Sequence, residues 1–287
     1  NSGRLGPERK LYYRELIARF GHHLALKWNL GEENTNTDAQ RKAYAEYIRS
    51  LDPYDHPIVV HTYPGQWEQV FAPLLGYEHF EGPSIQLSEM EDGHEHTLEW
   101  VQRSQESGRP WFVTIDEPGN ANAGVMPDGP DNNHAAARSE ALWANLMAGG
   151  AGVEWYFGYQ YPHNDLNCEN WRSRSDVWAY TRHAIGFFHD HLPFTRMQAA
   201  DDLSPAEDDY VLAREDSVYA VYRPSGGSPQ LEVGPGTYSV RWFNPRSGGS
   251  LQSASITSIE GAGTRSLGSP PSTPQQDWVV LVRRTDS

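Results

Sequence analysis

Residues able to do acid–base chemistry collect directly after the predicted buried strands of this chain. They lie at 28–34, 61–63, 89, 116–119 and 154–159. Two adjacent acidic pairs occur there, Glu32–Glu33 and Asp116–Glu117. Because ligands of parallel α/β folds bind outside the carboxyl ends of the strands, we expect both pairs to face one mouth. Two carboxylates on opposite sides of a scissile bond, one protonated and one ionised, are what glycoside hydrolysis requires.

The same residues also have simpler structural interpretations. An acidic pair such as Glu32–Glu33 is commonly a helix cap or a solvated turn, and His61 could be a hydrogen-bonded core residue. Trp155 and Tyr159 could cap the hydrophobic core. Two acidic pairs at matching strand ends favour the functional interpretation, and Tyr63 lies on the same strand face as His61. Tryptophan and tyrosine walls suit sugar rings, whose C–H faces stack on aromatic side chains.

No metal or cofactor site is predicted. Residues 128–133 resemble a calcium loop in composition but lack its spaced ligands and terminal glutamate. His94 and His96 have no second pair of ligands at suitable spacing. No glycine-rich phosphate cradle joins a strand to a helix, so nucleotide binding is not expected. The single cysteine, Cys168, forbids an internal disulfide.

Composition and charge restrict the partners. The 287 residues are 38% hydrophobic and 12% aromatic, which is typical of a globular chain. The formal charge is −15, and the only lysines are Lys10, Lys27 and Lys42. Nucleic acid and anionic membranes are bound through a basic face, so we expect neither as a partner. The apolar runs are too short to span a bilayer.

The elements that must position these residues alternate along the first two thirds of the chain. Apolar runs predict five strands, at 23–29, 57–61, 84–87, 110–115 and 152–157. Amphipathic stretches predict helices at 8–20, 37–51, 67–75, 92–107, 134–147 and 174–191, with Thr37 as an N-cap. This alternation indicates right-handed crossovers and a parallel sheet, either an open doubly wound sheet or part of a barrel.

The pattern changes beyond residue 203 to short strands separated by turn signals. Strands are predicted at 210–214, 217–222, 230–233, 236–244, 251–259 and 277–283, and a long polar loop at 261–274. This pattern is typical of a compact antiparallel β domain, and we expect a sandwich. The sequence therefore divides into residues 1–196 and 197–287.

Four segments resemble bacterial apiosidase-like glycoside hydrolases. They are KWNLGEEN at 27–34, PIVVHTYPG at 57–65, VTIDE at 113–117 and MAGGAGVEWY at 147–156. Members of that family are (β/α)8 TIM barrels, related to a large clan of retaining enzymes with catalytic carboxylates after strands four and seven. The segments SVYAVY at 217–222 and VRWFNPR at 240–246 are similar to the "putative collagen-binding" β domain that often follows such barrels.

The resemblance implies barrel strands 4–8 followed by a β-sandwich, and it implies roles for individual residues. The strand-four acid would be Glu32, with Glu33 as the alternative, and the strand-seven carboxylate would be Glu117, with Asp116 as the alternative. Related barrels have the acid directly after an asparagine, whereas Leu30 and Gly31 separate Asn29 from Glu32 here; an acid after a glycine favours Glu32. Only one residue of each adjacent pair can face the mouth if the strand stays regular. The expected sugar-binding residues are Trp28, Asn29, His61, Tyr63, Trp155 and Tyr159.

Five strands cannot close a barrel, so three strand–helix units are expected from a partner. That partner would be an amino-terminal barrel segment, either from a nicked precursor or from a second subunit. The predicted function is a retaining, polysaccharide-active glycoside hydrolase that is secreted or periplasmic and takes a polysaccharide or oligosaccharide substrate. The alternative is a non-catalytic carbohydrate-binding or matrix-adhesion protein on the same fold.

Overall fold

A computed structural model of the chain describes residues 2–286 as α/β, with one parallel and two antiparallel sheets. The parallel strands are β1 (Trp28–Asn29), β2 (Ile58–Thr62), β3 (Gly82–Gln86), β4 (Thr114–Glu117) and β5 (Gly152–Val153). They pair in sequence order, β1-β2-β3-β4-β5, as successive crossovers require. The predicted alternation and parallel pairing are therefore confirmed.

Helices precede the first of these strands, lie between the strands and follow the last one. They are α1 (Pro7–Phe20), α2 (Asp38–Arg49), α3 (Trp67–Phe71), α4 (Gly93–Glu106), α5 (Ala144–Met147) and α6 (Ser175–His191), and a π-helical segment, Ala137–Trp143, runs into α5. Short 3₁₀ turns occupy Ala72–Leu74, Met90–Asp92, Trp171–Arg174, Phe194–Arg196 and Asp201–Leu203. Thr37 caps α2 in a reciprocal capping box with Gln40. None of the helices within residues 2–286 is both long and apolar enough to cross a bilayer.

Several predicted strands are too long or begin too early. The strands expected at 23–29 and 152–157 have ladder partners only at Trp28–Asn29 and Gly152–Val153. Each lies at an edge of the sheet and has one neighbour within residues 2–286, so its flanking residues lack a ladder. The strand expected at 110–115 instead occupies Thr114–Glu117 and so includes the acidic pair.

The remaining strands form the β domain. They are β6 (Gln198–Ala199), β7 (Tyr210–Arg214), β8 (Val218–Arg223), β9 (Gln230–Val233), β10 (Thr237–Phe243), β11 (Ser258–Glu260), β12 (Gly263–Ser266) and β13 (Trp278–Arg284). Six form an antiparallel sheet in the order β11-β10-β13-β8-β7-β6, and β12 pairs with β9 in a separate ribbon.

Two predictions in the β domain are wrong. The expected polar loop at 261–274 contains β12, because residues 263–266 pair in register with β9. The expected strand at 251–259 is reduced to β11 and a single bridge between Gln252 and Trp242, because the residues between them leave the ladder. β6, for which no strand is predicted, adds an edge strand to β7.

Four hydrophobic cores are found among the described residues, and three of them connect these layers. The first lies between the outer face of the parallel sheet and helices α1, α2 and α4, and it contains Trp28, Ile58, Ile85 and Trp100. The second joins the helices α5 and α6 to the six-stranded sheet, where Trp143 stacks on Tyr222 with ring centroids 5.2 Å apart. The third fills the space between the six-stranded sheet and the β9–β12 ribbon.

Candidate functional site

Strand alternation directs a set of polar side chains to the inner face of the parallel sheet. Ile58 and Ile85 point outward into the core, so His61 and Ser84, at the opposite parity, point inward. The same alternation on β1 sends Trp28 outward and its neighbours Lys27 and Asn29 inward. The inner face is therefore polar at the carboxyl end of the sheet.

These side chains border a cavity of about 610 Å³, which is within the usual size range of small-molecule sites. Its lining comprises Ala25, Leu26, Lys27, Asn29, Glu32, His61, Ser84, Asp116, Glu117, Glu154, Trp155, Tyr156 and Asp165. The predicted residues Asn29, Glu32, His61, Glu117, Trp155 and the alternative Asp116 thus come together in one place. The lining residues come from the parallel strands, from the loops that follow them and from residues 25–27, just before β1.

A β-bulge in β4 lets both members of the acidic pair Asp116–Glu117 face the cavity. Ile85 pairs with Ile115, but the next residue of β3, Gln86, pairs with Glu117, so Asp116 is the extra residue. A bulge bends its strand and re-aims side chains. The expectation that only one of Asp116 and Glu117 faces the mouth fails because the strand is not regular at this point.

Glu117 is held by His61 at the floor of the cavity. His61 Nε2 lies 3.0 Å from Glu117 Oε2, and its Nδ1 lies 3.2 Å from Ser84 Oγ. Burial alone would lower the pKa of His61, but the hydrogen bond and charge of Glu117, with the charges of Glu32 and Asp116, raise it. These contacts therefore favour the protonated form of His61 beside the Glu117 carboxylate.

Glu32 and Glu33 lie on an irregular loop that follows β1. Gly31 has a φ of 125° and Glu33 a φ of 41°, a left-handed conformation that is uncommon outside glycine. One carboxylate oxygen of Glu33, the ligand nitrogen of His61 and an oxygen of Glu117 all lie within 4.8 Å of one another. Such a trio has the composition of a metal-ligating cluster, a possibility that the sequence analysis does not predict.

Tyr63 marks the rim of the cavity next to Glu33. Its side chain is exposed, and the charge of the neighbouring Glu33 raises the pKa of its phenol. Tyr63 is therefore close to Glu33, although it does not border the cavity itself.

Lys27 lies close to two carboxylates, those of Asp116 and Glu154. The predicted site includes Asp116 as an alternative and omits Glu154. Lys27 Nζ lies 2.5 Å from Asp116 Oδ2 and 3.6 Å from Glu154 Oε2. The side chain of Asp116 is only 7% exposed, and its other oxygen, Oδ1, has no hydrogen-bond partner in the described structure. Desolvation and the charge of Asp116 raise the pKa of Glu154, and Lys27 opposes that rise. Lys27 and Glu154 share the inward parity of Asn29 and Asp116, a signal available in the sequence.

Asp165 enters the cavity from a loop, and no sequence signal indicates it. Its Oδ2 accepts a hydrogen bond from the backbone N–H of Phe157 at 3.0 Å. Burial and, to a smaller extent, the charge of Glu117 raise its pKa. This loop is fastened to the loop after β4, since Asn122 O accepts from the backbone N–H groups of Tyr159 and Gln160 at 2.9 Å each.

Two predicted aromatic residues lie elsewhere. Trp28 is buried in the core and donates its indole N–H to Asp52 at 2.9 Å, which contradicts its expected role in sugar binding. The reason is the period of two along a strand: Trp28 and Asn29 cannot face the same side. Tyr159 is exposed and donates to the Asn122 side chain, outside the lining of the cavity. Trp155 does border the cavity, with its indole N–H donated to Thr181 at 3.0 Å.

A mostly apolar groove of about 570 Å³ adjoins the polar cavity. Its apolar lining comprises Leu24, Ala25, Leu26, Pro57, Phe112, Leu142, Leu146, Ala151, Val153 and Ile185. Leu24, Phe112 and Ile185 are exposed there. In the described chain β1 pairs only with β2, and β5 only with β4. The groove thus lies between two unpaired sheet edges.

Comparison with solved structures finds chains of similar fold. A protein titled "Glycoside hydrolase" superposes with a TM-score of 0.71 at 14% identity over 97% of this chain and 69% of its own. A glycoside hydrolase family 5 protein from Bacteroides vulgatus has a TM-score of 0.71 at 15% identity, and the match covers 96% of this chain and 66% of that protein. An α-amylase from Anoxybacillus has a TM-score of 0.57 at 11% identity, and the match covers 98% of this chain and 64% of that protein. The chain thus spans about two thirds of the length of these proteins, and the likeness concerns their fold.

Comparison with protein families and curated sequences adds one match. Residues 199–283 match a family described as "Putative collagen-binding domain of a collagenase". No curated protein matches the sequence. The chain is therefore similar in fold to glycoside hydrolases, and its residues 199–283 are similar to the family of this second description.

Proposed function

We propose that the chain is the carboxyl-terminal part of a retaining glycoside hydrolase barrel of the apiosidase-like type and acts on polysaccharides. The observation that carries this proposal is the closeness of two carboxylates, since an oxygen of Glu33 lies within 4.8 Å of an oxygen of Glu117. Carboxyl groups about 5–5.5 Å apart are typical of retaining enzymes, and about 6.5–9.5 Å of inverting ones. Polysaccharides are met outside the cytoplasm, so a secreted or periplasmic location belongs to the proposal.

In this mechanism the ionised Glu117 attacks the anomeric carbon, and the glycosidic C–O bond breaks. The strand-four acid gives its proton to the departing oxygen, which leaves as a hydroxyl. Water then attacks the same carbon while the strand-four carboxylate takes one of its protons, and the ester bond to Glu117 breaks. Protonated His61, 3.0 Å from Glu117, favours the ionised nucleophile.

We assign the acid to Glu33, with Glu32 as the alternative. Glu32 borders the cavity and contributes to the raised pKa of His61, but the close approach to Glu117 involves Glu33. The left-handed backbone of Glu33 is strained, and strain of this kind clusters at functional sites. This assignment differs from the choice of Glu32 that the resemblance favours.

The barrel would be completed by an amino-terminal segment that adds three strand–helix units. The unpaired edges of β1 and β5 and the exposed apolar groove between them support this part of the proposal. Such an interface would be a domain core cut in two, above roughly 2,000 Å² and largely apolar. The chain alone is then expected to be inactive.

The test compares variants of the complete assembly, recovered from the source cells, on plant and algal polysaccharides. Glu117→Gln should lower turnover by several orders of magnitude, because the covalent intermediate cannot form. Glu33→Gln should be slow on polysaccharides, whose leaving oxygen needs a proton. On aryl glycosides, whose leaving group needs no acid, azide should partly rescue it, because azide attacks the glycosyl ester without a general base. Glu106→Gln, at the exposed end of α4, is the matched control and should retain full activity. If Glu117→Gln keeps full activity and Asp116→Asn loses it, the nucleophile is Asp116. If the chain alone is fully active, the proposal that an amino-terminal segment completes the barrel is wrong.

A non-catalytic adhesion protein is the second candidate, and one observation favours it. Residues 199–283 match a domain described as collagen-binding. Binding of the chain to immobilised collagen, retained in Glu117→Gln and lost when residues 197–287 are blocked by an antibody, would support this candidate. Absence of binding, together with glycoside hydrolysis, would exclude it.

A further inference from the structure

The cavity concentrates negative charge. Five carboxylates border it, from Glu32, Asp116, Glu117, Glu154 and Asp165, and Glu33 lies beside them. The only basic side chains among the lining residues are Lys27 and His61, and both are already paired with these acids. With His61 protonated, the lining alone carries an excess of three negative charges.

Asp116 shows that this charge is not fully compensated within the described chain. Its side chain is more than nine-tenths buried, Lys27 occupies Oδ2, and Oδ1 has no hydrogen-bond partner. A buried carboxylate oxygen without a donor is costly. The Asp116 carboxylate therefore favours a ligand group that donates hydrogen bonds or carries positive charge.

Asp165 adds a further negative charge to the lining, from the loop after β5. The backbone N–H of Phe157 fixes its carboxylate. The charge of Arg174 acts to lower its pKa, but no Lys or Arg lies within ion-pair distance of it in the described structure. Asp165 has no place in the two-carboxylate reaction, so its charge is free to act on substrate.

We propose that this cavity selects sugars by charge: it takes neutral or amino sugars and rejects those that carry a carboxylate or sulfate. The inference rests on the proposed function and names its substrate class. Carboxylate and sulfate groups are bound in proteins by arginine and lysine, and the lining offers no arginine. Hydroxyl and ammonium groups donate, as Asp116 Oδ1 and Asp165 require. Asp165 is a specificity-determining residue in this account.

The test uses two pairs of oligosaccharides that share a sugar backbone and differ in charge through one small substituent. Methyl-esterified and free oligogalacturonides form a neutral and an anionic pair, and N-acetylated and deacetylated chitin oligomers form a neutral and a cationic pair. Binding to the full chain is measured by saturation-transfer NMR at 50 mM and 500 mM NaCl. We expect each unit of positive charge on the bound sugar to tighten binding about tenfold at low salt, and each negative charge to weaken it as much. The difference should shrink at high salt, where the charges are screened.

Asp165→Asn should reduce the cationic-to-neutral ratio severalfold, whereas Asp202→Asn, an exposed acid with no side-chain contact, should leave it unchanged. An equal effect of both variants would mean that the net charge of −15, not the cavity, selects the sugar, and would overturn the inference. Tighter binding of the free oligogalacturonide would also overturn it and leave the hydrolase proposal standing. The expected order in an assembly that hydrolyses nothing would support this inference and contradict the hydrolase. Binding of none of the four sugars to the chain would overturn this inference and leave the hydrolase proposal, which concerns the complete assembly, standing.

Discussion

The two large sheets of the molecule use their faces in opposite ways. The six-stranded sheet is covered on both sides, by α5 and α6 through Phe243 and Leu281 and by the β9–β12 ribbon through Leu231. The five-stranded sheet is covered on its outer face only. Its inner face carries the ionisable side chains and the apolar groove.

This difference separates stability from chemistry. A sheet buried on both faces has no accessible surface on which to bind a ligand, so the six-stranded sheet serves as a support for α5, α6 and the sheet beyond them. Polar groups at the carboxyl ends of parallel strands are left free to react because a neighbouring domain supplies the stability. The comparison therefore predicts that substitutions around the six-stranded sheet have large effects on stability and that substitutions on the inner face of the five-stranded sheet have large effects on activity.

The largest effect on stability is expected at the junction of the two regions. Asp277 accepts from Arg138 Nε at 2.9 Å and Nη2 at 3.1 Å, from Tyr222 at 3.0 Å and from Arg246 at 3.0 Å, all largely buried. Asp277→Ala leaves these donors without a partner and should cost about 3–5 kcal/mol of unfolding free energy. Denaturant titration measures it, with Asp202→Asn as a control expected within about 0.5 kcal/mol. A loss below 1 kcal/mol would show that the two regions are not held together here.

The same junction should be sensitive to acid. Burial would raise the pKa of Asp277, but its hydrogen bonds and ion pairs with Arg138 and Arg246 lower it. A lowered folded-state pKa stabilises the fold above the unfolded value of about 3.9, and this contribution is lost as pH falls through the folded value. The Asp277→Asn penalty should therefore be larger at pH 6 than at pH 3.

A pair of phenylalanines compares a covered face with an open one. Phe243 is 3% exposed in the core between the regions, whereas Phe112 is 41% exposed in the groove. Phe243→Ala should cost about 3 kcal/mol or more through lost burial and a cavity, and Phe112→Ala less than about 1 kcal/mol in the chain alone. Both are measured by thermal and denaturant unfolding. Equal losses would mean that the groove is part of a complete core.

Much of this comparison is predictable from the sequence. The alternation of apolar runs and amphipathic stretches predicts the parallel sheet, and strand polarity brings Asn29, His61 and Glu117 to one cavity. The alternation of side chains along a strand, applied to β1, excludes Trp28 from the residues that face the cavity and includes Lys27 among them. By contrast, the bulge at Asp116 and the entry of Asp165 depend on pairings between distant segments, Gln86 with Glu117 and Phe157 with Asp165. Such long-range contacts leave no local pattern in the sequence.

The smallest expected effect concerns His61. A raised folded-state pKa gives a stabilisation that is complete below the ordinary imidazole value of about 6.5 and is lost as pH rises through the folded value. His61→Gln should therefore cost about 1 kcal/mol at pH 5.5 and less at pH 9, with exposed His22→Gln as the control. Unfolding titrations at both pH values measure the difference. A penalty that grows with pH would contradict the His61–Glu117 ion pair.

Covalent labelling of the nucleophile tests the central claim most directly. The complete assembly is treated with a panel of 2-deoxy-2-fluoro glycosides, whose fluorine slows hydrolysis of the glycosyl ester, and is then digested and analysed by mass spectrometry. The account predicts one label, on the Glu117 carboxylate, absent from Glu117→Gln and still present in Glu106→Gln. A label on Asp116, or hydrolysis that inverts the anomeric configuration without any label, would contradict it.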